Sequence, residues 1–431
     1  MIRKTVPIFL VLACTSLIHL HAQTPSQQKS PPLQTGSPEA VGLSAERLDR
    51  IDHMLQEAVE ENTIPGAVAL VARNGKIVFH EAYGQANTSG KPLQKDAIFR
   101  IASQTKAITS TAVMMLWEEG KFQLDDPISK YIPEFKNPQV LVNFRYADTS
   151  YTARPAEREI TIRHLLTHTS GLGYGVIDGD ERMKMLYQKA GTTDLFTTEN
   201  VPIKEIVLKL AELPLHHDPG TKYTYSMGLD VLGYFIEVIS GMSFEQFLYE
   251  RLFGPLGMED TGFYLPRSKA DRLVAIQRKV NGQWEDYPNT FYDVDYPING
   301  SSFYSGGAGL SSTAKDYATF LQLYLNGGEL NGKRFLSRTT IATMMADQTL
   351  ELYGGAEQHY GLAFGVLTER GQAKGGLGSP GTFVWGGYFN TQYFADPQEK
   401  IIGIILKQTQ GPTGDQTAWK FKQLVGAAVD D

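Results

Sequence analysis

Cysteine is all but missing from this sequence: the 431-residue chain has one, Cys14. A single thiol forms no intrachain disulfide, so packing alone must hold the fold. Because Cys14 lies in an apolar N-terminal stretch, the body of the chain has no thiol nucleophile. Blocks of Lys or Arg are absent beyond the first few residues, and the formal net charge is −7. Nucleic acid needs a clustered basic footprint and is excluded as a partner. There is no internal repeat, no His-Glu-x-x-His and no Gly-x-Ser-x-Gly. The last omission sets aside the strand-to-helix elbow of the α/β-hydrolases.

What is present reads as an ordinary globular protein, 42% hydrophobic and 20% charged. Residues 1–22 have the pattern of an export signal: Arg3 and Lys4, a mostly apolar stretch over 6–20, and Ala22 ahead of Gln23. That stretch is too short and too poorly flanked for a membrane span. A competing reading takes Val11-Leu12-Ala13-Cys14 as a lipoprotein cleavage site, leaving Cys14 as a lipid anchor. Either way the protein is expected to be exported, periplasmic or secreted. Residues 23–37, rich in Gln, Ser and Pro, read as a flexible linker. The folded domain is expected over 38–430.

Its pattern begins with a helix capped by Ser44, with apolar residues Leu48, Ile51, Leu55, Ala58 and Val59 at helical spacing. Two strands follow, 67–72 and 76–83, joined by Asn74-Gly75, the strongest short hairpin signal. Residues 103–350 read as mostly helical with long loops, with helices over 162–168, 203–213, 229–239, 244–252 and 314–325. Strands return at 360–367, 382–385, 392–395 and 401–406, and a last helix covers about 416–429. Both chain ends therefore build one α/β lobe, 38–102 with 351–430, and a helical lobe is inserted between them. The cleft between the lobes is the default place for a site.

Three stretches carry chemistry. Ser-x-x-Lys occurs at Ser26-Lys29, Ser103-Lys106 and Ser312-Lys315. The first lies in the linker; the third overlaps Thr313-Ala314-Lys315-Asp316, which reads as the capping box of a surface helix with Lys315 solvated. Only Ser103 enters a helix apolar enough (Ala107, Ile108, Ala112, Val113, Met115, Leu116) to bury its lysine partner. Positions i and i+3 share a helix face, so Lys106 can reach the Ser103 hydroxyl, and a desolvated lysine is a plausible proton acceptor. The plainer alternative is an N-cap serine with a surface lysine. Tyr225 follows the turn Asp218-Pro219-Gly220 and precedes a helix. A phenol serves as general base only when a nearby cation depresses its pKa of about 10, and Lys106 could supply that cation; packing is the ordinary role of such a residue. Finally, Trp385-Gly386-Gly387-Tyr388 ends a strand in paired glycines, where backbone can approach a ligand. The Tyr388 N–H could complete an oxyanion hole with that of Ser103, or the glycines could form a mere bulge.

Other clusters read as structure. His164 and His168 are four apart on an expected helix, and His216-His217-Asp218 are adjacent in a loop; packing and surface roles outweigh a metal site for both, and none is assigned. The aromatic stretch 284–304, with Phe291, Tyr292, Tyr296 and Tyr304, could wall the cleft or fill the core.

Taken in order, Ser103-Gln104-Thr105-Lys106, Tyr225-Ser226-Met227 and Trp385-Gly386-Gly387 resemble the three motifs of the β-lactamase and penicillin-binding-protein superfamily, and most closely its class C β-lactamase and family VIII carboxylesterase branch. Ile162 to Leu172 and Gly306-Gly307-Ala308-Gly309-Leu310 resemble its recurring structural stretches. The resemblance implies an α+β, β-lactamase/transpeptidase-like fold: an antiparallel sheet flanked by N- and C-terminal helices, with the helical lobe inserted. It also implies a serine hydrolase without cofactor, acting on a small-molecule ester or amide. Ser103 would be acylated, Lys106 would activate it and Tyr225 would be the general base. The N–H groups of Ser103 and Tyr388 would form the oxyanion hole, with Met227, Trp385, Gly386 and Gly387 on the substrate side. Two departures bear on substrate. Met227 stands where the second motif usually has Asn, and Trp385 where the third usually has Lys or His, so a polar partner for an amide and a cation for a carboxylate are both replaced. This favours small uncharged esters over carboxylate-bearing lactams. A D-aminopeptidase, DD-peptidase or weak β-lactamase, and a non-catalytic module binding wall fragments or penicillin, are the alternatives.

Overall fold

The computed structural model describes residues 24–193, 196–288, 292–411 and 414–431; the expected leader, Cys14 and Phe291 lie outside them. Helix α1, Ala45–Glu60, starts where Ser44 accepts a hydrogen bond from the Arg47 N–H and buries Leu48, Ile51, Leu55 and Ala58. Its chain then enters a sheet of eight strands: β1 Gln34–Thr35, β2 Gly66–Arg73, β3 Lys76–Gly84, β4 Gln358–Tyr360, β5 Gly365–Leu367, β6 Phe383–Gly387, β7 Thr391–Asp396 and β8 Ile401–Leu406. Their spatial order is β4-β5-β6-β7-β8-β2-β3-β1, antiparallel except where β1 joins β3. At the β2–β3 turn Asn74 and Gly75 both take positive φ, 50° and 75°, the geometry a two-residue hairpin of this hand requires.

Strand β2 is buried along its whole length, and its period of two divides the core. Ala67, Ala69 and Val71 face α1 and the C-terminal helix α6, Thr417–Ala427; Val68, Leu70 and Ala72 face the inserted lobe. On that inner face lie α2, Thr105–Glu118, buried on all sides from Thr105 to Leu116, and α5, Ala314–Leu325, which packs on β8 and β2. Helix α2 in turn packs against α4, Gly228–Ser240, which also contacts α3, Ile162–Leu166. The fold is therefore the β-lactamase/transpeptidase-like α+β arrangement expected from the motifs.

Several local expectations change. Helix α5 is not a surface helix; only its outer residues, Lys315 among them, reach solvent. The strand expected at 360–367 is two strands, because the chain turns at 361–364, where the Gly361 N–H donates to the Phe364 carbonyl; Gly361 also lies against the Met344 carbonyl, where a Cβ would not fit. The inserted lobe holds hairpins that helical periodicity does not reveal, Gln139–Phe144 with Tyr151–Pro155 and Gln277–Val280 with Gln283–Asp286. Residues 24–37 do not hang free: Thr24 and Pro25 pair with Arg334 and Lys333, the Ser30 N–H donates to Glu329, and Gln34–Thr35 is the edge strand β1.

Candidate active site

Ser103 sits in the 3-10 turn Ala102–Gln104 that leads into α2. Ala102 just before it takes φ 44°, a left-handed conformation that costs a non-glycine residue about 1 kcal/mol. Ser103 is partly exposed while Ala102, Gln104, Thr105 and Lys106 are buried, so the turn presents one side chain to the cleft.

Lys106 is fully buried. A buried ammonium is tolerable only with its three donors satisfied. Its Nζ lies 2.7 Å from the Gly307 carbonyl, 2.9 Å from the Tyr174 hydroxyl and 3.4 Å from Ser103 Oγ. Ser26 and Ser312 have no comparable partner: Ser26 accepts from Arg334, and buried Ser312 bonds to Thr261.

The Gly307 carbonyl is held from behind. Asp230, on the first turn of α4 and 1% exposed, accepts from Ser305 Oγ (2.6 Å) and the Gly307 N–H (3.1 Å). Burial raises the pKa of this carboxyl, while the Ser305 bond and the Lys106 charge oppose the rise. A side chain at Gly306 would collide with the Leu229 carbonyl, so the loop can approach α4 only with glycine there.

Tyr225 brings its ring to the lysine: Nζ is 4.5 Å from the ring centroid, a cation–π distance. Tyr174 stacks on Tyr225 at 5.5 Å and 29°, so two phenols flank one ammonium. Sequence reasoning missed Tyr174, which lies two residues beyond the stretch ending at Leu172. The segment bearing Tyr225 is pinned by Thr224 N–H to His168 O (2.8 Å) and Ser226 N–H to His168 Nδ1 (3.2 Å). Burial, and after it the Lys106 charge, holds His168 well below the usual imidazole pKa, so it is neutral. It is not on a helix with His164: α3 ends at Leu166, and His168 has φ 56°. His164 caps α3 through Thr161, with its pKa lowered to about 4 by burial, and His216 and His217 bond to Asp178 and Thr224. Among the described residues no three His, Cys, Asp or Glu form a metal-holding group.

On the far wall β6 ends against the serine turn. A Cβ at Gly387 would strike the Ile101 carbonyl, so only glycine lets the strand close on Ser103's segment. Strand alternation turns Trp385 and Gly387 toward the inserted lobe and Val384 and Gly386 toward the opposite face, where Gly386 lines an outer groove. Gly386 therefore reaches the cleft with backbone alone. Trp385 packs among Tyr225, Tyr353 and Tyr360, with ring centroids 6.0, 6.4 and 5.3 Å away. Tyr353, also missed from sequence, extends an aromatic wall, and Tyr360, missed as well, is fully buried behind Trp385. Met227, expected on the substrate side, is 0% exposed and packs in the core. Among the described residues, neither the Ser103 nor the Tyr388 N–H donates to a protein acceptor. The Tyr388 ring is braced by Tyr292, whose hydroxyl donates to Tyr388 OH at 2.9 Å, and by Gln410 at 3.1 Å. Part of the stretch 284–304 thus supports the third motif from behind, and Tyr296 is buried against Phe196.

Comparisons with known proteins place the chain in a family. The family model described as Beta-lactamase matches residues 51–427. Protein Rv1367c of Mycobacterium tuberculosis is 35% identical over 379 residues, covering 84% of this chain and 90% of that protein. Esterase EstB of Burkholderia gladioli is 31% identical over 405 residues, covering 88% and 96%. Among solved structures, EstCE1, described as a hydrolase with promiscuous acyltransferase activity, superposes with a TM-score of 0.73 at 26% identity, covering 89% of this chain and 98% of its own. With a family model covering most of its length and an esterase relative above 30% identity, the chain belongs to the Beta-lactamase family and is a serine hydrolase.

Proposed function

We propose that the protein is an exported carboxylesterase that cleaves small uncharged esters through an acyl-enzyme on Ser103. Tyr225, acting as a phenolate that the Lys106 ammonium under its ring stabilises, takes the Ser103 proton and becomes a phenol as Oγ bonds to the ester carbonyl carbon. The Ser103 and Tyr388 N–H groups receive the carbonyl oxygen as it becomes an oxyanion. When the tetrahedral centre collapses, the C–O bond to the alcohol breaks and Tyr225 returns its proton to the leaving oxygen. Water then attacks the acyl carbon, again losing a proton to Tyr225, and Ser103 leaves with that proton.

The observation that carries the ester reading is the aromatic wall of Trp385, Tyr225 and Tyr353, backed by buried Tyr360, where the family usually places a cation. An apolar plane complements an uncharged acyl or alcohol group and gives a carboxylate nothing to pair with. Export is supported by the leader pattern of residues 1–22.

The test compares turnover of 4-nitrophenyl butyrate, a chromogenic cephalosporin and a D-Ala-D-Ala peptide. Ester turnover should exceed the other two and fall by about 10⁴-fold or more in Ser103→Ala. Faster turnover of the lactam or peptide overturns the ester preference. A serine-directed phosphonate mapped by mass spectrometry to a residue other than Ser103 overturns the nucleophile.

A further inference from the structure

The two terminal helices cover only part of the sheet's outer face. Over β2 and β8 they bury Ala67, Ala69, Val71, Ile401 and Ile405. Farther out, over β5 to β7, a cavity of about 500 Å³ opens between the sheet and α6, walled by Val384, Phe394, Ile405, Trp419 and Phe421. A second recess of about 490 Å³ adjoins it and shares Leu377, Phe394 and Lys422. Together they form one apolar trough along α6, with Trp419 58% exposed on its rim.

One cation stands in the middle of the trough. Lys422 is half-buried, its Nζ 5.3 Å from the Phe394 ring centroid, and among the described residues it makes no hydrogen bond or ion pair. Burial lowers its pKa to about 8, with only Asp396 pulling the other way. Asp396 is already occupied by the Ser379, Gln398 and Glu399 N–H groups and by Thr382 Oγ1. Glu399, in the second recess, pairs with Arg73 at 2.9 Å. The acids of the trough are thus committed elsewhere, and the ammonium lacks an anion.

We propose that this trough is a binding site for an amphipathic monocarboxylate, its alkyl or aryl chain lying on Val384, Ile405 and Phe421 and its carboxylate on Lys422. The site is separate from the catalytic cleft. Strand β6 is the wall between them: Val384 faces the trough, and Trp385, which borders the trough, turns its ring onto Tyr225 and Tyr360 on the cleft side.

Calorimetric titration of the whole protein with decanoate, and with 1-decanol as the uncharged comparator, tests this. Decanoate should bind at one saturable site and more tightly than the alcohol. Lys422→Met should weaken decanoate by about tenfold, the worth of one charge-assisted contact, and erase the preference for the acid. Ala418→Trp, which fills the trough from α6, should abolish binding. Quenching of tryptophan fluorescence by 2-bromodecanoate should diminish in Trp419→Phe, which reads occupancy without altering Lys422. Binding should persist after Ser103 is labelled with a phosphonate. No saturable binding, binding unchanged in both Lys422→Met and Ala418→Trp, or binding lost on labelling Ser103 overturns the proposal.

Discussion

Lys106 Nζ stands nearer the Tyr174 hydroxyl, at 2.9 Å, than the hydroxyl of Ser103, at 3.4 Å. The lysine is therefore held as much by a tyrosine outside the three motifs as by Ser103. Tyr174→Phe removes that contact and leaves the stacking on Tyr225 intact. Ester kcat/KM should fall by about 10- to 100-fold, mainly in kcat, because the ammonium is freed to shift away from Tyr225. A displaced pH–rate profile, with little change in melting temperature, distinguishes this from a purely structural loss.

Asp230 is the next link, since it holds the loop whose carbonyl at Gly307 receives Lys106. Both donors meet the same oxygen, Oδ1, and an asparagine amide oxygen can take its place. Asp230→Asn should fold normally and lose activity only through the missing charge. Asp230→Ala, leaving buried donors unpaired, should cost about 3 kcal/mol in urea-induced unfolding.

Asp316 gives a pH signature. Burial raises its pKa from 3.8 to about 6 despite bonds from the Asp260 N–H and Thr261. Between those values the folded state holds more protons than the unfolded, so this residue's contribution is full below pH 4 and is lost as pH rises through 6. The change is about 3 kcal/mol. Unfolding free energies at pH 4.5 and 7.5, wild type minus Asp316→Asn, should show that slope; equal values at both pHs would refute it.

Ala102, left-handed and fully buried next to Ser103, predicts an asymmetry between substitutions. Glycine relieves the backbone but loses a buried methyl, so Ala102→Gly should stay within about 1 kcal/mol of wild type. Ala102→Val puts a branched side chain where φ is positive and space is full, and should cost about 3 kcal/mol or more. Thermal melts and expression yield of the two variants are the readout.

Much of this was legible before any coordinates. The Ser44 cap, the Asn74-Gly75 turn and the strand at 401–406 are local signals, and each element appears within a residue or two of its expected bounds. That Ser103, Lys106, Tyr225 and Trp385 come together was readable because such residue types in that order are unusual. Tyr174 was not, since a tyrosine in a loop looks like any other until α2 carries Lys106 against it. Tyr353 and Tyr360 fall in the same class, converging on Trp385 only through the sheet. The hairpin at Gln139–Phe144 and Tyr151–Pro155 was hidden for another reason: its second strand is exposed along its length and lacks the alternation that marks a half-buried strand. His168 was misplaced on a helix because apolar spacing does not register a residue that reverses its backbone hand.

The sheet order carries one last consequence. Strand β2, made early, is bordered on one side by β8, which ends at Leu406, and the serine turn is closed by β6, at Phe383–Gly387. A ribosome that has delivered only the first three hundred residues has released Ser103 but neither of these partners. The central sheet can zip together only after nearly the whole polypeptide is free, and pairings this distant in sequence form slowly. Such a chain stays open and inert during its synthesis and gains hydrolytic power at the end.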